Sequence, residues 1–288
     1  MTDELRLISA VERFAAVVVS LSDDDLARPW EWRAYQEGVR FAFFRTAEEL
    51  HLLAARLLAQ RSQTGKAFTV AHRALAQYHV AYRDLQALLF ARESALLDAP
   101  VAGDAWPLRT VLGHTLAAER EMFARLRFAV MQHRQGVTEA VDLPSDVRAE
   151  LIGSHQEFER TVRRLSLPGV LAYYDRLHKR VLRELADIRD EELDVPSLWW
   201  EGVPMSVAFR LGRLGSHLRQ HTLQAEAMLR ALTGEPSEAR RLLRLVYAAL
   251  AEAESAVIGD WLLGQREQQE TAAIIAQRAG EIEALLND

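Results

Sequence analysis

Two histidines four residues apart, His217 and His221, carry the plainest chemical signal in this sequence. On a helix an i, i+4 pair stacks its imidazoles on one face, about one turn and near 6 Å apart, a spacing that a single metal ion can bridge. Val207, Leu211, Leu214, Leu218 and Ala225 recur at helical spacing as an apolar stripe, and both histidines fall on one edge of it. His114 lies at the edge of a second such stripe, formed by Val111, Thr115, Ala118, Met122 and Leu126. Three neutral imidazoles converging from two helices would form a half-open site for a divalent ion such as zinc, nickel, iron or manganese. The remaining coordination positions would face water or substrate, so the ion could act as a Lewis acid or ionise a bound thiol or water at neutral pH. The bland alternative is three histidines at a surface edge that titrate ordinarily.

An internal repeat argues for convergence. A helix, an acidic turn ending in Leu-x-x-Pro, a tryptophan and a second helix recur three times. The turns run through Leu26-Ala27-Arg28-Pro29-Trp30, through Leu97-Asp98-Ala99-Pro100 to Trp106, and through Leu193-Asp194-Val195-Pro196 to Trp199 and Trp200. His114 and His217 occupy much the same place in the second and third units, so they should approach one another when the two hairpins pair. Arg45 stands where the ligand would be in the first unit, and a guanidinium never deprotonates to coordinate a cation. That hairpin is expected to be metal-free, with His51 offset from the ligand position.

The elements that position these residues read as helices over about 3–21, 36–62, 68–97, 107–134, 145–163, 168–189, 204–233, 237–259 and 263–286, and no stretch alternates with period two for long. The fold class is all-α. Residues 1–66 are expected to form an N-terminal helical hairpin, 67–234 a metal-binding four-helix bundle, and 235–288 a C-terminal helix pair. The apolar stripe through Phe14, Val18, Phe41 and Phe44 would bury against those C-terminal helices or against a second chain, giving a homodimer.

Other residues earn weaker readings. Glu119 and Glu226 each follow a histidine by five residues and are either acceptors for ring N–H groups or solvated. Arg120, Arg213 and Arg219 flank the histidines, but arginine is so abundant that each reads as a surface or salt-bridged residue. Trp30, Trp32, Trp106, Trp199 and Trp200 sit in or beside turns, where a ring caps a bundle end, and Trp199 and Trp200 could also wall a pocket. Tyr173 and Tyr174 read the same way. His72, His79, His133, His155 and His178 have no partner at ligand spacing and read as surface or loosely packed.

Composition narrows the function. The 288 residues contain no cysteine, which excludes disulfides, thiolate ligands and a Cys nucleophile. A net charge of −6 argues against nucleic acid as a partner. The acidic start and the short apolar run from Ala15 to Val19 predict neither a signal peptide nor a membrane span, so the expected location is cytoplasmic. No Ser-His-Asp spacing or phosphate loop is present, and no catalytic residue beyond the metal ligands is identified.

The stretch from Trp106 through Val111-Leu112-Gly113-His114-Thr115-Leu116-Ala117-Ala118-Glu119, followed at long interval by Gly215-Ser216-His217-Leu218-Arg219-Gln220-His221-Thr222-Leu223-Gln224, resembles the DinB-like superfamily over roughly residues 70 to 232. The resemblance implies an up-down-down-up four-helix bundle holding a divalent ion on His114, His217 and His221. It also implies kinship with thiol-dependent S-transferases and with mycothiol-dependent maleylpyruvate isomerase, which use low-molecular-weight thiols such as mycothiol or bacillithiol; a direct DNA function is not implied. The expected function is therefore that of a divalent-metal-dependent enzyme, a thiol S-transferase or hydrolase acting on a small molecule. A non-catalytic helical metal-binding or interaction protein of the same type is the alternative. The N-terminal hairpin and C-terminal helices are additions to the simple family pattern.

Overall fold

Runs of Ala, Leu, Arg and Glu with apolar residues every three or four positions have little to gain from extended conformations, and they fold as helices. The computed structural model describes residues 6–100 and 106–287. In chain order the first elements are α1 (Leu7–Val18), α2 (Asp23–Ala27), the strands β1 (Pro29–Trp32) and β2 (Tyr35–Gly38), α3 (Arg40–Gln63) and α4 (Val70–Leu89). Then follow α5 (Leu108–Arg134), α6 (Ser145–Ile152), α7 (His155–Arg164) and α8 (Leu167–Leu185). The strands β3 (Pro196–Ser197) and β4 (Met205–Ser206) lead into α9 (Val207–Thr233), and α10 (Glu238–Ser255) and α11 (Gln265–Asn287) complete the order. Serine side chains cap α2, α7, α8, α9 and α10 by accepting from a backbone N–H three residues on, which fixes where each helix starts.

Two compact units result. One comprises residues 1–67, 83–91 and 235–288; the other comprises 68–82 and 92–234. In the first, α3 packs along α10 and α1 along α11. Phe14, Phe43, Leu50, Leu57, Val246, Tyr247, Ile275 and Ile282 fill its core. In the second, α5 is the central element: it packs on α9 and α8, and α6 and α7 lie against it.

Three expectations need correction. Short antiparallel strand pairs, β1–β2 and β3–β4, occupy two of the inter-helix turns, and each begins at the proline of a Leu-x-x-Pro motif. Residues 36–38 consequently belong to β2, and α3 starts at Arg40 instead of 36. The Phe14, Val18, Phe41 and Phe44 stripe is split. Phe14 and Val18 are buried, but Phe41 and Phe44 are exposed, while Ala42 and Phe43 face the core and Phe43 meets Phe14 edge-on at 5.4 Å. In an apolar run such as Phe41-Ala42-Phe43-Phe44 the period alone does not choose the inward face. Among the described residues no helix is long and apolar enough to cross a membrane.

Candidate metal centre

α5 supplies His114 and α9 supplies His217 and His221. Ser206 accepts from Phe209 N and sets the start of α9, and hence the face on which the two histidines emerge. On another face of α9, Gly215 allows close packing on α4: a Cβ there would lie 3.2 Å from the backbone nitrogen of Tyr78. The three imidazole centroids are 4.5 to 5.3 Å apart, and one nitrogen from each ring lies within 4.8 Å of the other two. Nε2 of His217 and Nε2 of His221 are 3.2 Å apart. Two metal–nitrogen bonds of about 2.0–2.1 Å meeting at tetrahedral or octahedral angles place their nitrogens roughly 2.8–3.4 Å apart. The pair already has the separation that a shared ion requires.

The electrostatics suit the same role. Burial, then the charges of His221, Arg213 and His114, push His217 down to about 3, so its ring is neutral at any physiological pH. His114, the exposed member, is also lowered, by partial burial and then by His221. Nδ1 of His221 donates to Oε1 of Gln224 at 2.9 Å, which leaves its Nε2 bare to act as a ligand. Gln224 lies three residues past His221 on the same helix face, and that i, i+3 spacing is the sequence signal that would have found it. The two glutamates considered for this task do other work. Glu226 pairs with Arg230 at 3.7 Å. Glu119 is buried in the core, where it accepts hydrogen bonds from the hydroxyls of Tyr78 at 2.5 Å and of Tyr174, and burial raises it to about 8 despite those bonds.

A cavity of about 760 Å³ opens onto the histidines. Trp106, Trp199, Trp200, Phe209, Met122 and Met205 form its apolar wall, and Trp106 meets His114 edge-on at 5.4 Å. Tryptophans from two repeat turns thus wall the cavity, and β3–β4 aims the second pair. Two acids line it, and both are engaged: Glu121 by Arg148, and Glu201 by the buried Arg210 at 3.2 Å. A second cavity of about 440 Å³ shares Trp106, His114 and Ala117 with the first and extends toward α7.

The remaining histidines divide. His51 is exposed and meets Glu252 at 2.8 Å, and His155 is exposed beside Glu159. His72, His79 and His178 are buried, where they were expected to be surface or loosely packed residues. Nδ1 of His79 and Nε2 of His178 are 2.8 Å apart, and the His178 ring stacks on Tyr82 at 3.8 Å. Tyr174 is likewise a core residue and does not line the cavity.

A family model described as the DinB superfamily matches residues 77–225, just over half of the chain and a span that includes all three clustered histidines. No curated protein and no solved structure matches the chain.

Proposed function

The chain belongs to the DinB superfamily, and from that premise we propose that it is a divalent-metal-dependent enzyme acting on a small molecule, with a low-molecular-weight thiol as cosubstrate. The observation that carries this reading is the cluster of His114, His217 and His221 at the head of a tryptophan-walled cavity. A divalent ion bound by the three Nε2 or Nδ1 atoms would supply Lewis acidity and lower the pKa of a thiol or water beside it. The chain's own contributions are orientation and exclusion. Gln224 holds His221 in the tautomer whose Nε2 is free, and burial keeps His217 from competing for a proton. The aromatic side chains offer an apolar surface against which a substrate can pack beside the histidines.

Purified protein should hold about one divalent ion per chain, and His217→Ala or His221→Ala should abolish it. Full metal retention in a folded triple alanine variant would overturn the ligand assignment. Titration of metal-loaded protein with small thiols should release protons, read calorimetrically in buffers of different ionisation enthalpy, because a thiol with a free pKa of about 8.5 would ionise on binding. A fully metallated protein that binds no thiol and turns over no substrate would favour the non-catalytic metal-binding reading instead.

A further inference from the structure

The three arginines that flank the histidines in sequence have different surroundings. Arg120 is buried, donates to the carbonyl of Ile152 and lies over the Phe158 ring at 4.1 Å, so it is committed to structure. Arg219 does not line the cavity. Arg213 does, from a position one helical turn before His217 on the same face of α9. Among the described residues, no carboxylate pairs with the Arg213 side chain. The cavity's other charges cancel locally, since Glu121 and Glu201 are each held by an arginine of their own. Arg213 therefore leaves an exposed, uncompensated guanidinium at the wall of a cavity rich in aromatic side chains.

Resting on the reading that this cavity receives the substrate, we infer that Arg213 is a specificity-determining residue and that the small molecule bound here is an organic carboxylate with an apolar body. The planar fork of a guanidinium matches a carboxylate in two parallel hydrogen bonds. A single guanidinium balances a monoanion, which favours a carboxylate over a phosphate dianion. With the carboxylate on Arg213, the rest of the molecule would lie in the cavity between the aromatic side chains and the histidines.

Tryptophan fluorescence of the protein as purified, titrated with 3-phenylpropionate and with its neutral amide, reads the subsite without requiring turnover. The acid should bind about tenfold more tightly than the amide. Arg213→Gln should erase that preference and leave amide affinity unchanged, and Arg213→Lys should restore part of it. A preference that survives Arg213→Gln, or one absent from the wild type, overturns the inference; tighter binding of phenyl phosphate than of the acid overturns the carboxylate assignment. A second arm uses cobalt-exchanged protein with 3-mercaptopropionate and 3-mercaptopropionamide, read by sulfur-to-cobalt charge transfer. If cobalt does not bind but the Arg213-dependent acid preference persists, the metal reading fails and the subsite stands. If both thiols ligate cobalt equally in wild type and Arg213→Gln, the metal reading stands and the subsite fails.

Discussion

A carboxyl sealed in a helical core must either find donors for its charge or keep its proton, and Glu119 shows both pressures at once. The Tyr78 and Tyr174 hydroxyls favour the anion, while complete burial favours the acid and wins, raising the group from its ordinary 4.5 to about 8. Between those values the folded chain holds a proton that the unfolded chain has released. The contribution to stability is accordingly complete below about pH 4.5 and is lost as pH rises through 8. Glu119→Gln keeps an acceptor for the tyrosines and removes the titration. Its stability relative to wild type, from urea midpoints at pH 5, 6.5 and 8, should therefore improve steadily with pH. Taking the difference cancels the histidines, among which His217 works in the opposite sense: it is depressed to about 3 and so lowers stability as pH falls below 6.5. A difference that stays constant from pH 5 to 8 would mean that Glu119 ionises without penalty.

Among the elements, α9 carries most of the site, and two of its glycines separate space from propensity. Gly212 has nothing within 4 Å of where a Cβ would stand, whereas at Gly215 that atom would press on the backbone of Tyr78 and Gln77 at 3.2 to 3.4 Å. Alanine is favoured over glycine in a helix interior by roughly 0.5–1 kcal/mol. Gly212→Ala should raise the thermal midpoint by a few degrees, and Gly215→Ala should forfeit that gain. Gly215→Val should lower the midpoint and weaken metal binding, because it displaces the turn that bears His217. Equal stability and metal affinity for Gly215→Val and wild type would show that the close approach to α4 does not matter.

Much of this scale was legible in the sequence, because the helices expected over about 204–233 and 237–259 and the stripe through Val207, Leu211, Leu214 and Leu218 are local signals. The convergence of His114 with His217 was legible only through the repeat. Other features depend on partners distant in sequence and had no local signature: the inward turn of Phe43, the pairing of His79 with His178, and the engagement of Glu201 by Arg210. Arginine abundance hid Arg213 in a crowd from which its place in the cavity wall separates it.

At the scale of the whole molecule, the unit containing α1, α3, α10 and α11 bears on how many ions a chain should hold. Thr46 and Thr115 occupy matching places in the repeat, and each turns its hydroxyl back to the carbonyl four residues earlier, on Ala42 and Val111. Beside Thr115 stands His114; beside Thr46 stands Arg45, held by Glu37 and Glu48 and laid over the Trp32 ring at 4.1 Å. The buried Arg278 of α11 donates to the Thr46 hydroxyl at 2.9 Å and lies 4.0 Å from Glu49. Guanidinium groups fixed at that place already neutralise the local carboxylates and would repel a divalent ion. Metal should therefore bind with a stoichiometry of one, and its removal should act as a simple ligand linkage. At a free-ion concentration about 100 times the dissociation constant, the stabilisation is about 2.7 kcal/mol. Adding a chelator should lower the unfolding midpoint of wild type and leave that of His221→Ala unmoved. Arg45→Met should reduce stability without changing the metal count. Two ions per wild-type chain would show that the guanidinium pair does not close this place to metal.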